Sequence, residues 1–84
     1  MLLDVVNFAF LDHYKLLLTF ENGEIKEFDC TALMDEKPFQ VLKDIHYFKQ
    51  AKIEYGTITW PNEIDIAPET LYVDSIPINQ LSKG

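Results

Sequence analysis

The sequence predicts a small α+β domain: a mostly antiparallel sheet with one or two short helices packed on one face. Three observations carry this. Residues 5–11, 14–21 and 52–60 are apolar or alternating in the manner of strands, Asn22-Gly23 and Gly56 break them as hairpin turns would, and residues 38–50 change to helical spacing. Strands joined by tight turns, with a separate helical stretch, make an antiparallel sheet with helices segregated to one side. The chain has 84 residues. A domain of this size buries roughly 60–65% of the surface its unfolded chain exposes, enough for one core and no inter-domain cleft. The organisation expected is one α+β domain over residues 1–73 and a C-terminal tail, mobile or loosely docked, over 74–84.

The first strand, Val5 to Leu11, is apolar except for Asn7. It reads as buried on both faces, with Val6, Phe8 and Phe10 on one and Val5, Ala9 and Leu11 on the other. In the second strand Tyr14, Leu16, Leu18 and Phe20 share a face. Asn22-Gly23 predicts a two-residue type I′ turn, which sets Phe20 opposite Ile25, Leu18 opposite Glu27, and Glu21 opposite Glu24 as a like-charge pair at an exposed tip. Phe28 then points to the other face, so either both faces are partly covered or, as the preferred reading, a bulge near Lys26-Glu27 turns it back to the core side.

Thr31 to Met34 predicts one helical turn capped by Asp29 or Thr31. Pro38 suits the first position of a second helix, continuous to Gln50 or divided with Asp44 as an internal cap. Phe39, Leu42, Ile45 and Phe48 are expected to form its apolar face. A tight hairpin follows, with arms Lys52–Tyr55 and Thr57–Trp60 around Gly56. Ile64 to Ile66 make a last short strand, and Pro68 opens a helical turn through Tyr72. Trp60 and Leu71 are expected in the core.

Composition excludes several classes of function. Fourteen acids oppose seven bases, for a net charge of −7, and all seven bases are lysine. A nucleic-acid surface needs a basic face, so direct binding to nucleic acid is not expected. A single cysteine forms no internal disulfide and suits a reducing cytosol. The start MLLDVVNF has no basic region and no long apolar run, so no signal peptide is expected, and no stretch approaches the length of a membrane helix.

No catalytic, cofactor-binding or metal-ligating residue set is expected. His13, Cys30 and His46 fall in three different elements, and Asp44 beside His46 makes no ligand pair. Cys30 follows Asp29, whose charge raises a thiol pKa. The isolated glycines form no phosphate cradle. Glu63, Asp65 and Glu69 cluster near Trp60 and are the one candidate for acid–base chemistry, with solvation of a surface loop as the plainer role.

The segment Trp60-Pro61-Asn62-Glu63-Ile64-Asp65-Ile66-Ala67-Pro68-Glu69-Thr70-Leu71-Tyr72 resembles the closing motif of a family of short bacterial domains of unknown function, W-P-N-G-x-D-hydrophobic-A-P-E-x-L-Y. Leu18 to Glu24, Phe28-Asp29, and Phe39, Leu42 and Phe48 agree with its other landmarks, so the resemblance spans most of residues 5–73. It implies a small α+β domain, found alone or ahead of a helix-turn-helix segment in some regulators; no such segment is expected to follow here. It also implies, for some members, pairing with other small proteins in the manner of toxin–antitoxin pairs, and it carries no catalytic residues. Glu63 departs from the pattern, which has glycine there.

The function expected is therefore a non-catalytic cytosolic interaction or regulatory domain acting through a protein partner, or as a homodimer. The second face of the first strand would lie at the interface unless Val73, Ile76, Ile78 and Leu81 fold back over it. The alternative is a small-ligand sensor, with a pocket between helix and sheet near Trp60 and Tyr72.

Overall fold

Seven strands and two short α-helices follow one another in a computed structural model that describes residues 3–78. The strands are β1 (Val5–Leu11), β2 (Lys15–Phe20), β3 (Ile25–Asp29), β4 (Lys52–Glu54), β5 (Thr57–Trp60), β6 (Ile64–Asp65) and β7 (Ile76–Pro77). The helices are α1 (Ile45–Phe48) and α2 (Pro68–Asp74), and two 3₁₀ turns cover Cys30–Leu33 and Phe39–Lys43. The α+β class holds. The strands, however, divide into two antiparallel sheets, ordered β1-β2-β3-β7 and β4-β5-β6. Leu16, Leu18, Phe20 and Phe28 of the first sheet join Ile58, Trp60 and Ile64 of the second, with Leu42, Phe48 and Leu71 from the helical segments, in one buried cluster. Trp60 and Leu71 are core residues, as their place in the sequence predicts.

The β2–β3 hairpin has a three-residue loop and not the expected two-residue type I′ turn. Phe20 N–H donates to Glu24 O at 2.9 Å, Gly23 N–H donates to Phe20 O at 2.9 Å, and Gly23 alone in the loop takes positive φ, +89°. That is the type I turn with a left-handed third residue, the next most common hairpin after the two-residue forms. The extra residue slides the register by one. Thr19 now faces Ile25, Leu18 faces Lys26 and Leu16 faces Phe28. Phe28 reaches the core without the expected bulge at Lys26-Glu27. The Glu21–Glu24 pair does not form: Glu24 bonds to Asn22, and the Glu21 carboxylate accepts from Asp4 N–H at 3.0 Å.

The irregularity lies in β1, where the register shifts between Val5 and Asn7. Val5 faces Phe20, Phe8 faces Leu18 and Phe10 faces Leu16, so these three share the core side. The expected faces are thus corrected: Val5 exchanges sides with Val6, which is 57% exposed.

The helical middle is two short pieces. Asp44, extended at φ −76° and ψ 113°, interrupts it and caps α1 by accepting from His46 N–H, as Asp29 caps the first 3₁₀ turn by accepting from Thr31 N–H. Because no continuous helix runs through, the expected apolar face is only partly realised. Leu42 and Phe48 are fully buried and Phe39 half-buried, but Ile45 is exposed.

The expected tail also divides. Ile76 and Pro77 pair with Glu27 and Lys26 as the fourth strand of the first sheet. Val73 (74% exposed), Ile76 and Ile78 stay exposed, so they do not cover the second face of β1. Leu81 lies outside the described residues.

Candidate functional site

Three places carry chemistry or open surface. The first is on the second sheet. Register sets Lys52 beside Thr59 and Thr59 beside Asp65, in a row across β4, β5 and β6. With Glu54, and with Asn62 and Glu63 from the β5–β6 turn, they line an open depression of about 530 Å³. Lys52 Nζ lies 3.4 Å from Glu54 Oε2, and Thr59 Oγ1 donates to Glu54 Oε1 at 3.0 Å. The depression's one lysine is therefore already paired with a carboxylate. Tyr55, 94% exposed, stands at the rim on the β4–β5 turn. Tyr55 and Gly56 both take positive φ, 55° and 75°, so the type I′ geometry expected at Asn22-Gly23 forms here.

Of the acidic cluster read from the sequence, Glu63 and Asp65 meet in this depression and Glu69 does not. Glu69 sits in the first turn of α2, where a negative charge complements the helix dipole. Glu63 takes φ +62°, the left-handed conformation that a glycine would adopt without strain. The depression includes Trp60 but does not reach Tyr72, so these two do not frame a common cleft. The Trp60 indole is turned inward, its Nε1 donating to Phe48 O at 2.9 Å.

Cys30 and the histidines stay apart. Cys30 is buried at the first position of the 3₁₀ turn. Burial pushes its thiol up to about 12, with the Asp29 charge adding to the effect, so it holds its proton at neutral pH. His13 lies in the β1–β2 turn and His46 in α1. No group of three His, Cys, Asp or Glu among the described residues is arranged to hold a metal ion.

The second place is the junction of β3 with α2, which the sequence reading missed. Lys26, only 6% exposed, donates from Nζ to Tyr72 O at 2.5 Å, and its ammonium lies 3.9 Å from the centre of the Tyr72 ring. Tyr72 OH donates to the Glu24 carboxylate. That bond, helped by Asn22, holds Glu24 below the usual carboxylate range, and the same bond raises the Tyr72 hydroxyl. The alternation Glu24-x-Lys26-x-Phe28 could have revealed the site, but only with the three-residue loop in place.

The third is the outer face of the first sheet. Asn7, Ala9 and Leu11 face Thr19, Leu17 and Lys15, which face Ile25, Glu27 and Asp29; Glu27 in turn faces Ile76. Ala9, Leu11, Leu17 and Ile25 make an apolar patch on it, separated from Ile76 by Glu27, which pairs with Lys15 at 3.5 Å.

The profile of the DUF2442 family, proteins of unknown function, matches residues 5–77. The chain belongs to the DUF2442 family. The match begins at the first residue of β1 and ends at the last of β7, so the DUF2442 unit here comprises both sheets and the short fourth strand. No curated protein and no solved structure matches the chain. Among the described residues of this DUF2442 domain, no helix is long and apolar enough to cross a membrane.

Proposed function

We propose that this DUF2442 domain is a non-catalytic interaction module of the bacterial cytosol that acts through a protein partner. The observation that carries the reading is the outer face of the first sheet, where Ala9, Leu11, Leu17 and Ile25 form an apolar patch, with Ile76 beyond Glu27, and where Ala9, Ile25 and Ile76 are exposed and Leu11 and Leu17 half-buried. An exposed apolar patch rimmed by polar residues is a common mark of a contact surface. The net charge of −7 steers the domain toward basic proteins. The likeness of residues 60–72 to the closing motif of a family of short bacterial domains of unknown function, some of whose members resemble partners in toxin–antitoxin pairs, supports an antitoxin-like role, neutralising a basic partner. The reading includes no chemical step, since the buried, protonated Cys30 and the separated histidines supply no nucleophile–base pair.

The test is affinity capture from the native cell, read by mass spectrometry, followed by titration of the purified partner into the domain. A basic protein bound in the micromolar range or tighter, and weakened by Leu17→Glu, supports the reading. Unchanged binding by Leu17→Glu would move the interface elsewhere.

A second reading, a small-ligand sensor, is favoured by the depression on the second sheet, whose volume of about 530 Å³ lies in the range of ligand pockets. A metabolite that raises the melting temperature of the wild type but not of Thr59→Val would support it.

A further inference from the structure

We infer that two copies of this chain associate through the free edge of β1, pairing antiparallel about a two-fold axis at Ala9 and joining their first sheets into one. The inference goes beyond the partner surface proposed above, because it uses the edge of that sheet and not its outer face.

The hydrogen-bond pattern shows which backbone groups are free. Alternate residues of an antiparallel strand bond to opposite neighbours. Phe20 bonds toward β3 through Glu24, and Glu21 N–H donates the other way, to Asp4 O at 2.8 Å. Thr19, Leu17 and Lys15 therefore turn toward β1, and their partners Asn7, Ala9 and Leu11 spend their backbone groups on β2. Phe8 and Phe10 present theirs to the free edge. Phe8 N–H is met only by the side chain of Asn7, at 2.9 Å, and no described backbone group bonds to Phe10 on that side. Earlier along the strand, Val5 N–H donates to Gly56 O, so the free stretch begins after the bulge.

Exposed edges are normally protected by charge, proline, brevity or a bulge. The other outer strands use these devices: β7 has two residues and Pro77, β4 carries Lys52 and Glu54, and β6 is two residues with Asp65. β1 is seven residues long with neither charge nor proline, and its bulge shields only the Val5–Asn7 end. With −7 on each copy, it is the edge along which two copies can align without setting like charges opposite each other.

The strand is also self-complementary. A two-fold axis at Ala9 sets Phe8 of one copy opposite Phe10 of the other, twice, and forms four backbone hydrogen bonds, with Phe8 exchanging its Asn7 bond for a partner carbonyl. Ala9 meets its own copy as a non-hydrogen-bonded pair, the closest spacing in the ladder, at roughly 4.5 Å between Cα atoms, and is small enough to fit. The Phe8 and Phe10 rings, both half-buried and 5.3 Å apart edge to face, gain aromatic neighbours across the axis on the core side.

The test uses purified protein alone, so its outcome is independent of whether any other partner exists. Sedimentation velocity from low to high micromolar concentration should show a monomer–dimer equilibrium that strengthens with salt, as repulsion between the acidic copies is screened. Ala9 is exposed in the monomer, so Ala9→Lys should fold as wild type. By setting two ammonium groups face to face, it should weaken the dimer about tenfold or more. Ala9→Cys should form an inter-copy disulfide under mild oxidation, since the paired Cα spacing suits one and Cys30 is buried. A wild type that stays monomeric throughout would overturn the inference. So would a dimer that Leu17→Glu dissociates while Ala9→Cys fails to cross-link, because that dimer would use the outer face.

Discussion

Lys26 is held out of water by the carbonyl and ring of Tyr72, at the C-terminal end of α2 where unpaired carbonyls collect. It thus caps a helix from a neighbouring strand. Tyr72 completes the tie by donating to Glu24, and this bond has a defined pH window. The Glu24 pKa is lowered from 4.5, so the stability it contributes is full above that value and is lost as pH falls through the folded pKa. The Tyr72 pKa is raised from 10.0, so its contribution is full below that value and is lost as pH rises through the folded pKa. Tyr72→Phe should lower stability between these limits, and its difference from wild type should shrink toward both extremes in urea titrations run across pH. A difference independent of pH would refute the bond's role. Trp60 acts on a larger scale: its ring is buried against Phe48 and its Nε1–H satisfies the Phe48 carbonyl. Trp60→Ala should cost about 3–5 kcal/mol, a large part of what a domain of this size has, in the same urea titrations.

At the scale of elements, the turns determine the geometry of the second sheet. Gly56 takes φ +75°, and a Cβ there would meet the Asp4 side chain, with Cγ at 2.6 Å. Asp4 also supplies the carbonyl that holds Glu21, so this is where the hairpin of the second sheet touches the start of β1. Gly56→Ala should therefore destabilise by about 1–3 kcal/mol, through positive φ and lost space together. Glu63 is the opposite case. It is exposed and left-handed at φ +62°, so Glu63→Gly should be neutral or stabilising by up to about 1 kcal/mol. Parallel thermal melts of both variants test the pair, and a Glu63→Gly protein that melts well below wild type would mean that the side chain has a structural role.

For the whole molecule, the charge balance is the dominant long-range property. A net charge of −7 with no arginine opposes approach to phosphate backbones, so no nucleic-acid binding is expected. Electrophoretic shifts with random DNA or RNA at low salt should show no complex at micromolar protein, and a salt-sensitive complex would overturn the partner class proposed above. The two open parts of the first sheet, its outer face and its β1 edge, point in different directions, so the partner surface and the copy-to-copy edge proposed above do not compete for the same groups, the one using side chains of the face and the other the backbone of Phe8 and Phe10. This arrangement follows from having two sheets. Among the described residues, the second sheet and the helical segment pack on a single face of the first.

The amino-acid sequence by itself determined what depends on near neighbours: where β1 to β6 lie, that Asp29 and Asp44 are candidate caps, that Gly56 ends a strand, and that Trp60 and Leu71 are buried. Each follows from local alternation, backbone preference or charge, which act over a few residues. Tertiary structure alone decided the three-residue loop at Gly23, the bulge that exchanges Val5 for Val6, the burial of Lys26, the division into two sheets and the recruitment of Ile76-Pro77 to β3. These are questions of register and partnership. A one-residue slip reverses every side chain of a strand, and the choice between slips is made by how well distant residues pack, as when Phe28 lands opposite Leu16 and Lys26 reaches Tyr72.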